Sequence, residues 1–397
     1  MKPEQFLQNW DWDIPIPIRY GPGRVREVGA ICAARGIGNP LIVTDRASAR
    51  LPFVGAVQQA LAEAGLTSGL FTDVSPNPTD LEAARGAEAC RAGGHDAVIA
   101  LGGGSGMDAG KAVSLLAHTA HPLWDFDFDV APPAGLTRAD FPPLLCIPTT
   151  AGTGAETEST AMITDTGRGI KGCVWHPMQK PIVAILDPEL TVGLPPHLTA
   201  WTGCDALTHA IEAYIVPSAH PICDGMALEG LRLVARGLPE VLKSPASIEA
   251  RGAMLVGSCL AGIAFLKGLG MVHAISHMVG AEFDTHHGLT NAVLLPPVLR
   301  FNEAVIGHKV GPMCAAMGLD GADFDAFIAG VERLLGICSI PHGLADLGVT
   351  IEAAPSLALK ASRDPAASTN PRPASVSDIE ALIRGAMTAT RPERTTG

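Results

Sequence analysis

The first half of the chain alternates short apolar runs with stretches whose apolar residues recur at helical spacing. The short runs predict buried strands at 40–45, 69–73, 96–101 and 143–147. The intervening stretches predict helices at 24–35, at 51–65 and after a turn at 76–80. Thr79 or Asp80 is the predicted N-cap of the third helix, and the prolines in 14–23 indicate an edge strand or extended arm. Strands that alternate with helices predict a parallel, doubly wound sheet.

The second half has a different pattern, because beyond Pro188 strands are hard to find and apolar residues fall at helical spacing. The predicted helices, broken by Pro or Gly, are 201–216, 222–242, 248–265, 271–282 and 291–301. A turn-rich connector at 364–373 precedes Ser377 and Glu380, which resemble a capping box that opens a last helix. With a boundary near 187–195, we predict an α/β N-terminal domain of residues 1–190 and an all-α C-terminal domain of residues 191–397.

Composition and charge narrow the class of protein. The 397 residues are 47% hydrophobic and 17% charged, which suits packed cores in two or three domains and not a disordered chain. The 28 basic and 40 acidic residues give a net charge of -12. Nucleic acids and anionic membranes need basic surfaces, so this balance argues against both as partners. Cytoplasmic chemistry on a small molecule is the expectation.

The cysteines and the N-terminus agree with that location. The nine cysteines are odd in number and include no CxxC pair, which indicates reduced thiols and not a disulfide framework or a thiolate zinc site. The first residues lack the apolar segment of a signal peptide, and no run approaches the roughly 18 apolar residues of a transmembrane span. We expect neither secretion nor membrane insertion.

A glycine-rich loop follows the third predicted strand. Residues 102–111 read Gly-Gly-Gly-Ser-Gly-Met-Asp-Ala-Gly-Lys and pass into a helix. Small residues at such a junction leave backbone N–H groups facing open space at the positive end of a helix, which is a site for phosphate. Residues 104–109 match the weak pattern GxGxxA, and because no GKS or GKT follows, a P-loop is excluded. A tight turn that merely needs glycine is the alternative explanation.

A second loop, 148–154, offers hydroxyls and flexible backbone after the apolar run 143–147. Two such loops at the carboxyl ends of parallel strands can hold both phosphates of a dinucleotide. Asp45, at the end of the first buried strand, then suits an adenosine ribose hydroxyl. An ordinary solvated acid explains Asp45 nearly as well.

Four histidines fall within the fifteen residues 273–287, which are otherwise mostly apolar or small. His273 and His277 stand at i and i+4, so on a helix both imidazoles leave the same face, close enough to share one ion. His286 and His287 follow just past a break. Any one of these histidines, taken alone, is explained as well by ordinary packing.

A second i, i+4 pair, Asp205 and His209, repeats this geometry with a carboxylate in place of one imidazole. The two groups together offer one carboxylate and three or four imidazoles. Such a set suits Fe(II) or Zn(II) equally well by ligand type. The sequence therefore indicates a divalent metal site.

These motifs carry a family resemblance. The chain resembles the iron-containing, or group III, alcohol dehydrogenases over nearly its whole length. The family signature Gly-x-x-His-x-x-Ala-His-x-x-Gly, five residues, Pro-His-Gly is met from Gly270 to Gly288, with Ser276 in place of Ala and His286 in place of Pro. The family motifs Gly-Gly-Gly-Ser-x-x-Asp-x-x-Lys and Pro-Thr-Thr-x-Gly-Thr-x-x-Glu are met at 102–111 and 148–156.

The resemblance implies a metal bound by Asp205, His209, His273 and His287, with His277 beside the nicotinamide. It favours Fe(II) over Zn(II) and implies a hydride transfer between an alcohol and NAD(P) across a cleft between the α/β dinucleotide-binding domain and the helical metal-binding domain. A homodimer or higher homo-oligomer is expected. The chemistry agrees, because a divalent ion acidifies an alcohol hydroxyl as it does bound water.

The candidate cofactor-binding residues lie in the N-terminal domain: Asp45, Asn77, Gly103, Gly104, Ser105, Asp108, Thr149, Thr150, Thr153 and Lys171. An acid at position 45 accepts ribose hydroxyls but repels a 2′-phosphate, so NAD is expected over NADP.

Other enzyme activities are alternatives to alcohol oxidation. Glycerol dehydrogenases, dehydroquinate synthase and maleylacetate reductases resemble the fold, but the complete ligand set and the signatures argue against all three. A hydroxy-acid dehydrogenase is a further alternative. A metal-dependent hydrolase would use the same ligands to activate water.

Lys267, six residues before a presumed metal ligand and flanked by apolar or small residues, is unexpected there. One explanation is a stem that covers apolar surface and extends its charge to water. The other is an ammonium that binds an anionic end of the substrate and orients it. The second explanation predicts a preference for hydroxy acids or semialdehyde acids over neutral alcohols.

Overall fold

The computed structural model describes residues 16–388. These residues form two compact units, one of 16–194 with 246–255 and the other of 195–245 with 256–388. The segment 246–255 contains the start of a helix and groups with the first unit.

The first unit is built on a parallel sheet, as predicted. The strands of this unit are β1 Ile18–Tyr20, β2 Pro40–Val43, β3 Gly69–Phe71, β4 Ala97–Gly102, β5 Leu144–Pro148, β6 Ala161–Asp165, β7 Ile170–Val174 and β8 Val183–Leu186. Within the described residues, six of them form the parallel sheet in the order β1-β8-β5-β4-β2-β3, and every adjacent pair is parallel. The helices between them are α1 Val28–Ala33, α2 Pro52–Glu63, α3 Asp80–Ala92 and α4 Gly104–Ala117.

Strand β4 shows why helices cover both faces of this sheet. Successive side chains of a strand point to opposite faces. Ile99 and Leu101 belong to one buried cluster with residues of α1 and α2, whereas Val98 and Ala100 belong to another with residues of α3 and α4. Every residue of β4 is buried, so its unbroken apolar run is that of a central parallel strand.

The antiparallel hairpin β6–β7 was not predicted. It pairs Ala161 with Val174 and Asp165 with Ile170. Only the last residue of β7 is fully buried, so this strand lacks the apolar run by which the other strands were recognised. Thr79 is the N-cap of α3 and forms a capping box with Glu82, which resolves the choice between Thr79 and Asp80.

The second unit is helical in the part that the model describes, as predicted. Its helices are α5 Pro196–Ile215, α6 Pro221–Lys243, α7 Ile248–Ala264, α8 Met271–Phe283, α9 His287–Met317, α10 Phe324–Ile337, α11 Ala354–Ala361, α12 Pro365–Ser368 and α13 Val376–Ala386. The first part of α7, up to residue 255, belongs to the first unit.

Several helix boundaries differ from the prediction, and α5, expected at 201–216, begins at Pro196. The helix expected at 291–301 runs for 31 residues and contains three prolines. Burial of most of its first half holds the helix together although prolines remove backbone hydrogen bonds. The last helix is capped by Ser375 with Asp378, and not by Ser377 with Glu380, because the Ser375 side chain accepts from the Asp378 N–H.

The cysteines and one apolar segment bear on the expected location of the protein. All nine cysteines lie within the described residues, and none of them belongs to a disulfide bond. One described segment, Ile248–Lys267, is long and apolar enough to cross a membrane, which the sequence reading had not recognised. Burial of 67% of its most apolar window within the protein accounts for that composition as a core helix.

Candidate metal and cofactor sites

Four side chains of the helical unit converge. Asp205 and His209 lie one turn apart on α5, His273 lies on α8, and His287 is the first residue of α9. One ligand atom from each lies within 4.8 Å of all the others. The first three are buried, and the His287 side chain is 30% exposed, so the cluster is open on that side.

A glycine allows α9 to begin this close to α5. A Cβ on Gly288 would lie 2.4 Å from the carbonyl oxygen of Trp201 and 2.9 Å from the Cβ of Asp205. A Cβ atom does not make nonbonded contacts that short, so the two helices can approach this closely only where one of them has glycine. The signature glycine that follows His287 therefore sets the separation of two presumed ligands.

The cluster passes a test of fit for a cation. The amide nitrogen of Asn291 lies 2.8 Å from Asp205 Oδ1, 3.0 Å from His287 Nε2 and 3.2 Å from His273 Nε2. An amide NH2 group has two hydrogens and cannot donate fully to three acceptors at once. Three acceptor atoms therefore converge on one position, and this arrangement favours an electropositive group such as a divalent ion.

Glu212 binds the Nδ1 side of the His273 ring, while the Nε2 side faces the cluster. Its carboxylate accepts from His273 Nδ1 at 2.6 Å, from the Gly270 N–H at 3.0 Å and from the Val272 N–H at 2.8 Å. A donating Nδ1–H leaves Nε2 of His273 as the lone-pair atom, and Nε2 faces the cluster through Asn291. The carboxylate therefore fixes the orientation and tautomer that a metal ligand needs.

Burial dominates the electrostatics of this pair. It lowers the pKa of His273 well below the usual value, with the positive forms of His209 and His277 adding to the effect. Neutral imidazole is the form that binds a metal. Burial also raises the pKa of Glu212 to about 7, against the opposing pull of the Val272 and Gly270 N–H groups.

His277 lies beside the four ligand candidates. Its ring stacks on His287 with centroids 5.4 Å apart, and its Nδ1 lies 2.9 Å from Asp364 Oδ2. His286, which replaces the family proline, instead packs on Trp201 with ring centroids 5.0 Å apart. The structure thus places His287, and not His286, in the cluster.

In the sheet unit the two glycine- and threonine-containing loops lie side by side. The Thr149 N–H donates to the Gly102 carbonyl at 2.9 Å. A Cβ on Gly103 would lie 3.2 Å from Thr150, and one on Gly104 would lie 3.0 Å from Thr153. Gly103 is the N-cap of α4 and no side chain caps that helix, so its first N–H groups suit phosphate.

The other cofactor candidates surround these loops. Lys171 Nζ donates to Asn77 Oδ1 at 3.2 Å, and Ser105 donates to the Pro76 carbonyl at 2.7 Å. Asp108 follows on α4.

Asp45 is fixed by its own turn. Its Oδ1 accepts from the N–H groups of Ala47 and Ser48 at 3.0 and 2.9 Å. Its Oδ2 lies 3.5 Å from the place of a Cβ on Gly102. One oxygen is therefore occupied by the turn while the other faces the glycine-rich loop.

The first explanation given for Lys267 is wrong, and the second stays a prediction. Its side chain is 1% exposed, so the charge does not extend to water. Its ammonium forms an ion pair with Asp224 and donates to the Tyr214 carbonyl at 3.3 Å, at the C-terminal end of α5. Lys309 donates to the same carbonyl. The ammonium of Lys267 is thus held inside the protein by these partners.

We expect Lys267→Met to lower the free energy of unfolding by about 1–3 kcal/mol, because it removes the ammonium partner of Asp224 and one of the two lysine donors to the Tyr214 carbonyl. The ratio of kcat/KM for anionic to neutral substrates should not change. Lys360→Met is the matched control, since the Lys360–Glu282 pair is exposed and contributes ~0–1 kcal/mol. A selective loss of activity on hydroxy acids in Lys267→Met would support the anchoring role.

The sequence analysis missed three residues that contact the candidate ligands or His277. Glu212 lies three residues after His209, a spacing that signals a shared helix face. Asn291 lies four residues after His287, again at helical spacing. Asp364 falls in the segment interpreted as a connector, and no local pattern links it to His277, which is 87 residues away.

Two family models match the chain. One, described as iron-containing alcohol dehydrogenase, matches residues 15–188. The other, described as the C-terminal part of the Fe-containing alcohol dehydrogenase family, matches residues 199–387.

Individual proteins are similar over nearly the whole chain. The NAD-dependent methanol dehydrogenase of Bacillus methanolicus is 37% identical over 384 residues, which cover 94% of this chain and 99% of that protein. A solved 1,3-propanediol oxidoreductase has a TM-score of 0.90 at 35% identity and covers 96% of this chain and 100% of its own. A sulfoacetaldehyde reductase from Bifidobacterium kashiwanohense in complex with NAD+ has a TM-score of 0.84 at 31% identity, over 96% and 99% of the two chains. These matches show that the chain belongs to the iron-containing alcohol dehydrogenase family.

Proposed function

We propose that the protein transfers a hydride between a primary or secondary alcohol, or the corresponding aldehyde or ketone, and NAD. Asp205, His209, His273 and His287 would hold the divalent metal. The observation that carries the proposal is the convergence of these four ligand atoms within 4.8 Å of one another. When bound there, a divalent ion supplies Lewis acidity, which acidifies an alcohol hydroxyl and polarises a carbonyl.

The remaining roles belong to the chain's own side chains. Asp364 occupies Nδ1 of His277, which leaves Nε2 as the atom that can accept the hydroxyl proton or return it. Glu212 keeps the lone pair of His273 directed at the cluster. The loops at Gly103 and Thr150 would bind the cofactor phosphates through backbone N–H and hydroxyl groups.

Iron is the metal that family membership favours, although three imidazoles and a carboxylate suit zinc as well. NAD is supported as the cofactor by the relative that is named for NAD dependence and by the neighbour that was solved with NAD+. A homo-oligomer acting in the cytoplasm is part of the same proposal and rests on the sequence.

The hydrolase alternative is less well supported. A hydrolase needs no dinucleotide, whereas the N-terminal end of α4 and the adjoining threonine loop form a phosphate-binding arrangement. The test is an assay of the iron-loaded protein with NAD+ and a panel of alcohols, and with NADH and the matching aldehydes. Formation or consumption of NADH supports the proposal. Hydrolysis without any cofactor, in a protein that does not bind NADH, would support the alternative.

Asp45 should set the choice of cofactor. We expect kcat/KM with NAD to exceed that with NADP by at least about tenfold, or ~1.4 kcal/mol, because the carboxylate repels a 2′-phosphate. Asp45→Gly should reduce the preference. Asp45→Asn is the sharper variant, since it removes the charge yet keeps an oxygen for the Ala47 and Ser48 N–H groups. Equal use of both cofactors by the parent protein would contradict the assignment.

A further inference from the structure

Glu212 is a carboxylate buried in the helical unit that belongs to none of the recognised motifs. It is 1% exposed and lies on α5, three residues beyond His209. Its partners all lie at the start of α8, where it accepts from two backbone N–H groups and from the Nδ1–H of His273. A buried carboxylate is stable only with such donors.

The chain leaves room for this carboxylate. A Cβ on Gly270 would lie 2.7 Å from Glu212 Oε1 and 3.0 Å from Asn370 Oδ1. A side chain at position 270 would therefore have to displace the ends of the Glu212 and Asn370 side chains from their present hydrogen bonds. The first glycine of the histidine signature thus leaves space for the carboxylate.

We propose that Glu212 is a positioning residue for metal binding, acting through His273, and that much of the metal affinity of the site depends on it. The proposal rests on the proposed function, because it assumes that the four-ligand cluster holds a divalent ion. An acceptor on Nδ1 fixes the ring, selects the tautomer with Nε2 free and raises the basicity of that nitrogen. Without it, His273 can rotate or present Nε2–H to the cluster.

Asn370 provides the matched control. Its Oδ1 accepts from the Met271 N–H at 3.1 Å, so it caps the same helix start without touching His273. A purely structural role for Glu212 predicts that the loss of either residue lowers stability without a selective loss of metal affinity. A role through the imidazole would make them differ in metal affinity.

The experiment is a competition for Zn2+ between the metal-stripped full-length protein and a chromogenic chelator, without NAD or alcohol. We expect Glu212→Gln to weaken Zn2+ binding by about 10–100-fold, the usual effect of losing a partner of a ligating histidine. Asn370→Ala should lower the melting temperature but change Zn2+ affinity by less than about threefold. The rise in melting temperature on saturation with Zn2+ should shrink only in Glu212→Gln.

Two results would overturn the proposal: unchanged Zn2+ affinity in Glu212→Gln, or an equal loss in Asn370→Ala. If Glu212→Gln does not fold, Glu212→Asp is measured in its place. It keeps the charge but withdraws it from Nδ1 by one methylene, so its Zn2+ affinity should also fall, and parental affinity would refute the proposal. Failure of the proposed function is distinguishable. A protein whose Zn2+ affinity depends on Glu212 but that oxidises no alcohol would refute only the proposed alcohol oxidation.

Discussion

Replacing His273 by alanine should remove the divalent ion and lower alcohol oxidation by about a thousandfold or more, since Lewis-acid stabilisation contributes several kcal/mol to such a reaction. His287→Ala should behave in the same way. Both side chains supply one of the four clustered ligand atoms. NADH binding should change little, because the candidate phosphate loops lie in the sheet unit. Metal content per chain, turnover and NADH fluorescence titration measure the three quantities.

His286→Ala is the control for that experiment. His286 is the immediate neighbour of His287, but its ring packs on Trp201 and lies outside the ligand cluster. We therefore expect it to keep its metal and to lose less activity than His287→Ala. Loss of the metal in His286→Ala with retention in His287→Ala would show that the ligand has been assigned to the wrong histidine.

Gly288→Ala should have the second-largest effect. The added methyl group would meet a backbone carbonyl at 2.4 Å, and a carbonyl on a packed helix cannot move aside as a flexible side chain does. Helix α9 must therefore shift away from α5, which separates His287 from Asp205. We expect the free energy of unfolding to fall by about 1–3 kcal/mol or more, as overpacking commonly does, together with weaker metal binding.

Gly307→Ala tests that explanation on the same helix. Among the described residues, no atom outside the neighbouring backbone of its own helix lies within 4 Å of the place of its Cβ, so the methyl group has open space. Alanine in a helix interior is favoured over glycine by about 0.5–1 kcal/mol, and this variant should be as stable as the parent or slightly more so. Thermal denaturation with and without Zn2+ compares the two variants. A Gly288→Ala protein that matches Gly307→Ala in both melts would contradict the close approach of α5 and α9.

Local patterns account for what the sequence could predict. The parallel sheet was recognisable because runs such as 96–101 are apolar throughout and lie between helical segments. The hairpin β6–β7 was not, because Lys171 and Gly172 interrupt the apolar residues of β7 and its first four residues are only half-buried. The start of α9 was placed four residues late, because a helix that opens on the histidine pair has no apolar residue in its first two positions.

The same distinction applies to the candidate metal site. Its candidate ligands lie in pairs at helical spacing or next to signature glycines, so each could be found within a short window of sequence. The residues that orient them could not, because their partners are distant along the chain. Glu212 is 61 residues from His273 and Asp364 is 87 from His277. Lys267 was misinterpreted for the same reason, since its carboxylate partner is 43 residues away.

We expect alcohol oxidation by this protein to depend on a metal held by Asp205 and the three clustered histidines. The most direct measurement follows NADH absorbance in one sample of metal-stripped protein with NAD+ and an alcohol, before and after anaerobic addition of equimolar Fe2+. We expect no NADH before the addition and steady formation after it, with no recovery in His273→Ala. Full-rate NADH formation by the metal-stripped protein would contradict the claim.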